Sequence, residues 1–230
     1  MEVKKLLLAI AYISLAQNCF ALDLTTAKQK YSYTIGTQVG QMLSAQDVGE
    51  LDIDTFSAAV SDFLGNTPPR LSHTEMREAL KQHYQLRQSE RDQLAKQNIA
   101  KGNRFREENA ARQGVTVLDS GLQFEVLRAG KGASPTTKDK VEVHYQGTLI
   151  DGTVFDSSYS RKKPTQFNLN SVVPGFKEAI VRMKPGAKWR VVMPPEMAYG
   201  EKGAGKKIAP NATLIFEIEY IGLATKPHKK

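Results

Sequence analysis

The stretch that begins at Val143 contains the residues whose types and spacing could support chemistry. Its motifs are VHYQGTLIDGTVFDSS, VVPGFKEAIVRMKPGAKWRVVMPPEMAYG and NATLIFEIEYI. Aromatic and aliphatic residues dominate these motifs, so they could enclose a dry pocket with a few polar groups. No cysteine nucleophile, metal-ligand cluster or phosphate-binding loop accompanies them, and we expect neither a metal nor a cofactor. Such a pocket is suited to binding one apolar residue and rotating a bond.

The bond that such a pocket could rotate is the amide before proline. Rotation about an amide costs about 18–20 kcal/mol because the planar form is stabilised by resonance. The cis and trans forms of X-Pro lie close in energy but exchange over tens to hundreds of seconds. The twisted state is less charge-separated than the planar one, so an apolar enclosure favours it without a nucleophile. The motifs therefore predict prolyl isomerisation.

These residues must be positioned by short strands and one helix. Four segments alternate in the strand sense, over residues 121–127, 141–145, 188–193 and 213–220. The segment Pro174–Met183 has apolar residues at helical spacing and is followed by Lys184-Pro185-Gly186. We therefore predict an α+β domain over residues 114–224, with an antiparallel sheet wrapped on one short helix.

Residues 22–70 are predicted to form short helices. Apolar residues recur at helical spacing from Tyr33 to Ala45, and Asp52 or Asp54 can cap a second helix that ends near Gly65. Two short amphipathic helices cannot bury their apolar faces alone, so we predict an all-helical module through which two copies form a homodimer. The alternative is a small helical cap that folds back on the same chain.

Residues 71–113 are predicted to form one long helix. Ser72 and Glu75 make a capping box, and Gly114 is a natural stop. A helix of about 40 residues spans roughly 60 Å. Its apolar positions are too sparse for a heptad seam, and a helix that is polar nearly all round usually bridges domains through solvent. We therefore predict a spacer between the two domains.

The N-terminus resembles a secretory signal peptide over residues 1–21. Lys4 and Lys5 precede an apolar run, and Cys19-Phe20-Ala21 ends in a small-x-small pattern. The run is shorter than the roughly 20 apolar residues of a membrane span. We expect cleavage and a location in the periplasm, at the outer membrane or at the cell surface. An uncleaved anchor and a cytosolic protein whose N-terminus only mimics a signal are the alternatives, and the residues before Cys19 disfavour lipidation.

The charge is unevenly distributed. Residues 22–112 carry 12 basic and 12 acidic side chains, whereas residues 113–230 carry 18 basic and 11 acidic. In a cytosolic protein this excess would suggest nucleic acid as a partner. Behind a signal peptide, solubility, anionic envelope surfaces or acidic clients explain it better, and we expect no nucleic acid. Residues 225–230 are predicted to be a basic tail.

The motifs after Val143 resemble the FKBP-type peptidyl-prolyl isomerases in order and spacing over about 110 residues. The preceding signal, the segment that begins at Tyr31 and the long helix extend the resemblance to the Mip-like (macrophage infectivity potentiator) subfamily. This resemblance implies V-shaped homodimers in the bacterial envelope that isomerise X-Pro bonds in proline-containing clients. It also implies that macrolides such as rapamycin and tacrolimus could bind.

Matched position by position, the resemblance implies a set of site residues. The residues expected to act in catalysis are Asp156, Tyr199 and Tyr145, and those expected to bind substrate are Phe155, Arg161, Phe167, Val172, Val173, Phe176, Ile208 and Phe216. The phenylalanines would grip the proline ring, and the tyrosine at 199 would donate a hydrogen bond to a substrate carbonyl. The carboxylate would place negative charge beside the twisted amide, held by the arginine.

Two positions depart from the family pattern. One is a wall position, where Thr165 stands in place of the phenylalanine that some members carry, and the other is the pocket floor. The pocket floor is usually tryptophan, whereas here it is Phe176, and the only tryptophan, Trp189, falls in a predicted strand. Phenylalanine keeps the floor apolar but loses area and the indole donor. This departure favours a rival from another class, a dimeric proline-binding chaperone or surface interaction factor with little turnover.

Overall fold

The computed structural model describes residues 23–46 and 48–224. The predicted signal segment 1–21 and the predicted tail 225–230 lie outside the described residues. The chain divides into two compact units, one that ends at Ser72 and one that begins at His73.

The first unit contains two helices, α1 (Ala27–Ala45) and α2 (Ile53–Leu64). A capping box begins α1, in which the Thr26 hydroxyl accepts from the Gln29 amide at 3.2 Å and the Gln29 side chain accepts from the Thr26 amide at 2.9 Å. This cap starts the helix at Ala27 rather than at Tyr33, where the apolar spacing begins. Of the two predicted caps of α2, Asp52 is the one that forms, since its carboxylate accepts from the Thr55 amide at 2.7 Å, whereas Asp54 lies in the first turn of the helix.

The second unit begins with the long helix α3 (His73–Ala110). Its length confirms the helix predicted over residues 71–113, but its last turns are not exposed all round. Gly102 and Asn109 are buried, and the Asn109 amide nitrogen donates to the Gln123 side chain at 2.8 Å. Contacts of this kind place α3 in the same compact unit as the sheet. We predicted a boundary at residue 113 between the long helix and a domain that folds without it. That boundary stays a prediction.

The sheet has seven antiparallel strands in the order β1-β2-β6-β7-β3-β4, with β5 paired to β3. The strands are β1 (Val115–Val117), β2 (Gln123–Arg128), β3 (Lys140–Leu149), β4 (Val154–Ser157), β5 (Thr165–Asn168), β6 (Lys188–Met193) and β7 (Leu214–Leu223). One helix, α4 (Pro174–Ile180), contributes its buried residues to the same core. The α+β class with an antiparallel sheet and one short helix is confirmed.

Alternating residues of the long central strands form the core. On β3, Val141, Val143 and Tyr145 are buried while the residues between them are partly exposed. Trp189 lies on β6 as predicted and stacks on Phe124, with ring centroids 4.2 Å apart. Within residues 23–46 and 48–224, none of the helices combines the length and the apolar character that crossing a membrane would require.

Candidate active site

A cavity of about 610 Å³ opens on the second unit between β3, β4, β5, β7 and α4. Ten of the residues predicted from the sequence line it, namely Tyr145, Phe155, Asp156, Phe167, Val172, Val173, Phe176, Tyr199, Ile208 and Phe216. The eleventh, Arg161, lies beside the cavity and is bonded to two of these residues. The fold thus brings together side chains that are spread over more than seventy positions of the chain. The roles assigned to them stay predictions.

The apolar side of the cavity is a cluster of aromatic rings carried by separate elements. Phe155 lies on β4 and Phe216 on β7, and their rings meet edge to face with centroids 5.5 Å apart. Both rings reach across β3 at Gly147, where an added Cβ would lie 2.4 Å from the Phe155 ring and 2.9 Å from the Phe216 ring. Glycine at this position is therefore required for the close approach of the two rings.

Phe176 forms the floor of the cavity. Pro174 occupies the first turn of α4, where its lack of an N–H costs nothing. The following turn buries the Phe176 ring against Tyr145, Phe167 and Phe216, with centroid distances of 5.9, 5.6 and 5.5 Å and edge-to-face geometry. This geometry is the preferred one for aromatic pairs. The floor is thus a packed ring rather than a gap left by a missing indole.

The polar side of the cavity is a hydrogen-bonded triangle of Asp156, Tyr145 and Arg161. The Tyr145 hydroxyl donates to one carboxylate oxygen of Asp156, and Arg161 Nη1 donates to the other at 2.6 Å. Arg161 Nη2 donates to the Tyr145 hydroxyl at 2.9 Å and to the Thr165 hydroxyl at 3.3 Å. The carboxylate is therefore held in one orientation at the cavity wall.

These contacts keep the carboxylate charged and the phenol neutral. Partial burial acts to raise the pKa of Asp156, but the hydrogen bonds from Tyr145 and Arg161 outweigh it, so the pKa lies below the usual 3.8. Burial, followed by the hydrogen bond to Asp156, raises the pKa of Tyr145 to about 12. At neutral pH the site therefore presents one anion and one neutral hydroxyl donor.

Tyr199 stands at the cavity with its side chain 40% exposed. Partial burial, followed by the negative charge of Asp156, raises the pKa of its hydroxyl, which therefore remains a donor at neutral pH. Among residues 23–46 and 48–224, no hydrogen-bond partner is found for this hydroxyl. The hydroxyl can therefore donate a hydrogen bond to a carbonyl group that enters the cavity.

The sequence did not predict five further lining residues, which are Ser171, Ala204, Gly205, Lys206 and Lys207. Lys207 Nζ donates to the Phe155 carbonyl at 3.1 Å, which ties the loop after Tyr199 to β4. This loop turns at Gly203 and Gly205, both at positive φ. The basic, glycine-rich composition of GEKGAGKK was the available signal, but it does not show which lysine points inward.

Two matches to described families cover most of the chain. Residues 131–221 match the FKBP-type peptidyl-prolyl cis-trans isomerase domain, and residues 28–126 match the domain amino terminal to FKBP-type peptidyl-prolyl isomerase.

In the part of the chain that the structure describes, no group of histidine, cysteine, aspartate and glutamate side chains could hold a metal ion.

Individual relatives are similar over nearly their whole length. The peptidyl-prolyl cis-trans isomerase Mip of Coxiella burnetii is 41% identical over 210 residues, which cover 90% of this chain and 91% of the relative. The outer membrane protein MIP of Legionella longbeachae is 36% identical over 230 residues, with 97% and 98% covered. The crystal structure of FkpA from Escherichia coli has a TM-score of 0.61 at 36% identity and covers 88% of this chain and 99% of that chain.

Proposed function

The chain belongs to the Mip-like FKBP-type peptidyl-prolyl cis-trans isomerases, and we propose that its aromatic cavity catalyses X-Pro rotation by enclosing the twisted amide. The observation that carries this proposal is the arrangement of the cavity walls. An apolar cluster of rings faces a single carboxylate whose orientation is set by Tyr145 and Arg161. No covalent intermediate is involved.

The aromatic rings hold the proline and exclude water from the amide. In water the planar amide is favoured by its charge separation, because solvent stabilises the partial charges on oxygen and nitrogen. Inside the cavity that stabilisation is lost, whereas the twisted amide, which has less charge separation, loses little. The barrier falls only by this difference between the two states.

The polar side supplies interactions that strengthen as the amide twists. Once the nitrogen lone pair no longer conjugates with the carbonyl, the carbonyl carbon becomes more electron-poor and is attracted to the Asp156 carboxylate. Arg161 and Tyr145 keep that carboxylate in place. Tyr199 donates a hydrogen bond to a carbonyl of the bound peptide. Each of these groups is in its required protonation state at neutral pH.

A protease-coupled assay with short proline peptides tests the catalytic proposal. The protease cleaves only the trans peptide, so the slow phase reports isomerisation, and kcat/KM follows from its dependence on protein concentration. We expect acceleration well above the uncatalysed exchange. Binding of the same peptide without acceleration would support the rival function, a proline-binding chaperone with little turnover.

We propose that the first unit joins two copies of the chain. Its apolar residues are exposed in the single chain, and Phe63 and Leu64 on α2 are 80% and 77% exposed. Apart from the two adjacent residues and the nearby backbone of α1 itself, no atom of the described chain lies within 4 Å of a Cβ placed at Gly36 or Gly40 on α1. If these large apolar side chains are buried against the same unit of a second copy, the dimer is stabilised.

Sedimentation of the full chain tests the dimer. Phe63→Lys places a charge in the proposed interface and should produce a monomer, while Asp54→Lys, a charge change at an exposed position of the same helix, should leave a dimer. A two-armed dimer would gain effective concentration for a long unfolded client. A wild-type chain that sediments as a monomer would instead support the helical cap that folds back on its own chain, and a dimeric Phe63→Lys protein would show that Phe63 lies outside the interface.

We further propose that the mature protein acts in the bacterial envelope and that macrolides occupy the same cavity. The location is supported by the signal-like residues 1–21 and by a relative that is named an outer membrane protein. Mass spectrometry of the protein purified from its source tests cleavage, which should remove residues 1–21. Rapamycin should compete with proline peptides, because both require the aromatic walls.

A further inference from the structure

The segment 199–213, termed the cavity loop, forms one wall of the isomerase cavity. It supplies Tyr199, Lys207 and Ile208 to the lining. Its own hydrogen bonds include those from the Ile208 amide to the Ala204 carbonyl at 3.1 Å and from the Asn211 amide to the Gly200 carbonyl at 2.9 Å. The position of the loop therefore determines where substrate-contacting side chains stand.

Three polar side chains of α3 bond to this loop. Arg91 Nη2 donates to the Lys202 carbonyl at 2.6 Å, and Asn98 Nδ2 donates to the Pro210 carbonyl at 2.8 Å. Arg106 Nη1 donates to the Thr213 hydroxyl at 2.7 Å. These residues recur about every two turns of the helix, so they share one face. The helix whose polar sequence predicts a solvent-exposed spacer thus bonds to one wall of the cavity.

Apolar packing between α3 and the loop is incomplete. A cavity of about 390 Å³ lies between them and is lined by Phe105 of α3 and by Ala209 and Ala212 of the loop, among others. The loop also contains Gly203 and Gly205 at positive φ, which leave its backbone few side-chain restraints. The hydrogen bonds from α3 consequently provide much of the restraint on this side of the loop.

The close approach of α3 at Gly102 sets the distance between helix and loop. A Cβ added at Gly102 would lie 2.4 Å from the Thr213 hydroxyl oxygen. Thr213 is buried and immediately precedes β7, so it has little room to move. The helix is therefore seated against the last residue of the loop at a fixed point, from which Asn98 and Arg91 reach along the loop.

We propose that α3 is a positioning element of the isomerase site, in which Asn98 and Arg91 hold the cavity loop so that Ile208 and Tyr199 meet the substrate. This inference rests on the isomerase function proposed above. Neither residue touches the substrate, and both act through the backbone of the loop. A wall displaced by less than an ångström weakens contacts that must be correct in the twisted state.

Asn98→Asp in the full chain is the central test, because it exchanges the donating amide for an acceptor of the same size. We expect kcat/KM for a short proline peptide to fall by about ten-fold, since misplacement of a substrate-contacting group by a fraction of an ångström can have effects of this size. Gln97→Glu is the matched control, since it makes the same chemical change at an exposed neighbouring position, and it should leave kcat/KM unchanged. Asn98→Gln, which keeps an amide donor, should retain more activity than Asn98→Asp.

Hydrogen exchange separates positioning from a general loss of stability. In Asn98→Asp we expect faster exchange at the amides of Ile208 and Asn211, while the amides of β3 and β7 remain protected. A folded Asn98→Asp protein with wild-type kcat/KM would overturn the proposal. If that variant does not fold, Arg91→Gln at its exposed position decides in the same way, with a several-fold loss expected. Failure of the wild-type chain itself to accelerate isomerisation would instead refute the isomerase function.

Discussion

Replacement of Asp156 by asparagine tests the electrostatic part of the mechanism. The change removes the negative charge while keeping the size of the side chain. In the wild-type site the carboxylate accepts from the Tyr145 hydroxyl and from Arg161 Nη1. An amide has one acceptor oxygen and one donor nitrogen, so it can satisfy only one of these two donors. Asp156→Asn therefore removes the charge and loosens the triangle that orients it.

The expected loss follows from the size of a single charged interaction. A hydrogen bond to a charged group contributes about 1.5–3 kcal/mol. If the attraction between the Asp156 carboxylate and the twisted amide is of this size, kcat/KM falls by about ten- to hundred-fold. Tyr145→Phe is the informative companion, because it removes the hydroxyl that bonds to Asp156 and to Arg161 Nη2 but keeps the charge, the ring and the contact between Arg161 and Asp156. It should reduce kcat/KM less than Asp156→Asn does.

The protease-coupled assay should be run from pH 5 to pH 8 on the wild type, on Asp156→Asn and on Tyr145→Phe. Because the pKa of Asp156 lies below 3.8, the carboxylate stays charged over this range, and the ratio of wild-type to Asp156→Asn activity should be constant. Near-ultraviolet circular dichroism serves as the control for folding. A folded Asp156→Asn protein with wild-type kcat/KM would refute the electrostatic role and leave enclosure by the aromatic rings as the whole mechanism.

Four further predictions concern the floor, the ring contact, the phenol and the domain division. Phe176→Trp should tighten rapamycin binding measured by calorimetry, because each Å² of additional apolar surface buried contributes about 25 cal/mol to the binding free energy. Unchanged binding would show that the floor has adapted to phenylalanine. Gly147→Ala should lower the free energy of unfolding by about 1–3 kcal/mol in urea titrations because its Cβ overlaps Phe155. Folding raises the pKa of Tyr145 from 10.0 to about 12, so the contribution of this shift to the free energy of unfolding is complete below pH 10 and declines as the pH rises to about 12. Unfolding of the wild type measured as a function of pH should show this decline, and Tyr145→Phe should lack it. A chain that starts at residue 73 should sediment as a monomer with undiminished activity on short peptides but refold protein clients poorly, and a dimeric fragment would contradict the division.

The sequence predicts those helices and strands that are long enough for the spacing of their apolar residues to repeat. β3 and β7 alternate over ten residues each, and α4 repeats its apolar residues at helical spacing. β1, β4 and β5 have three or four residues each, too few to display an alternation. The pairing of β4 and β5 is set by the long strand beside them, since both pair with β3, whereas β1 pairs with β2.

The sequence predicted those lining residues whose types form a recognisable motif. It did not predict residues whose position depends on how the backbone turns. The family motifs predicted Asp156 and Phe176 as pocket residues, and both line the cavity. The predicted contact between Asp156 and Arg161 is present at 2.6 Å. The inward position of Lys207 depends on how a glycine-rich loop turns, which composition does not reveal. The same holds for Asn98, since its partner is a main-chain carbonyl and a polar residue on a polar helix gives no signal of such a contact.

The two sides of the cavity contribute differently to binding and to turnover. In the proposed mechanism the phenylalanines contact the pyrrolidine ring, which has the same shape whether the preceding amide is planar or twisted, so they contribute mostly uniform binding and change KM. Only the loss of solvent from the amide and the carboxylate at the cavity wall distinguish the twisted state. Within the proposed mechanism, Phe176 in place of tryptophan therefore changes how strongly proline binds, whereas turnover depends on the exclusion of solvent from the amide and on Asp156 with the groups that hold it. Since Tyr145 and Arg161 both bond to that carboxylate in the structure, the phenylalanine floor alone is no reason to expect a protein without turnover.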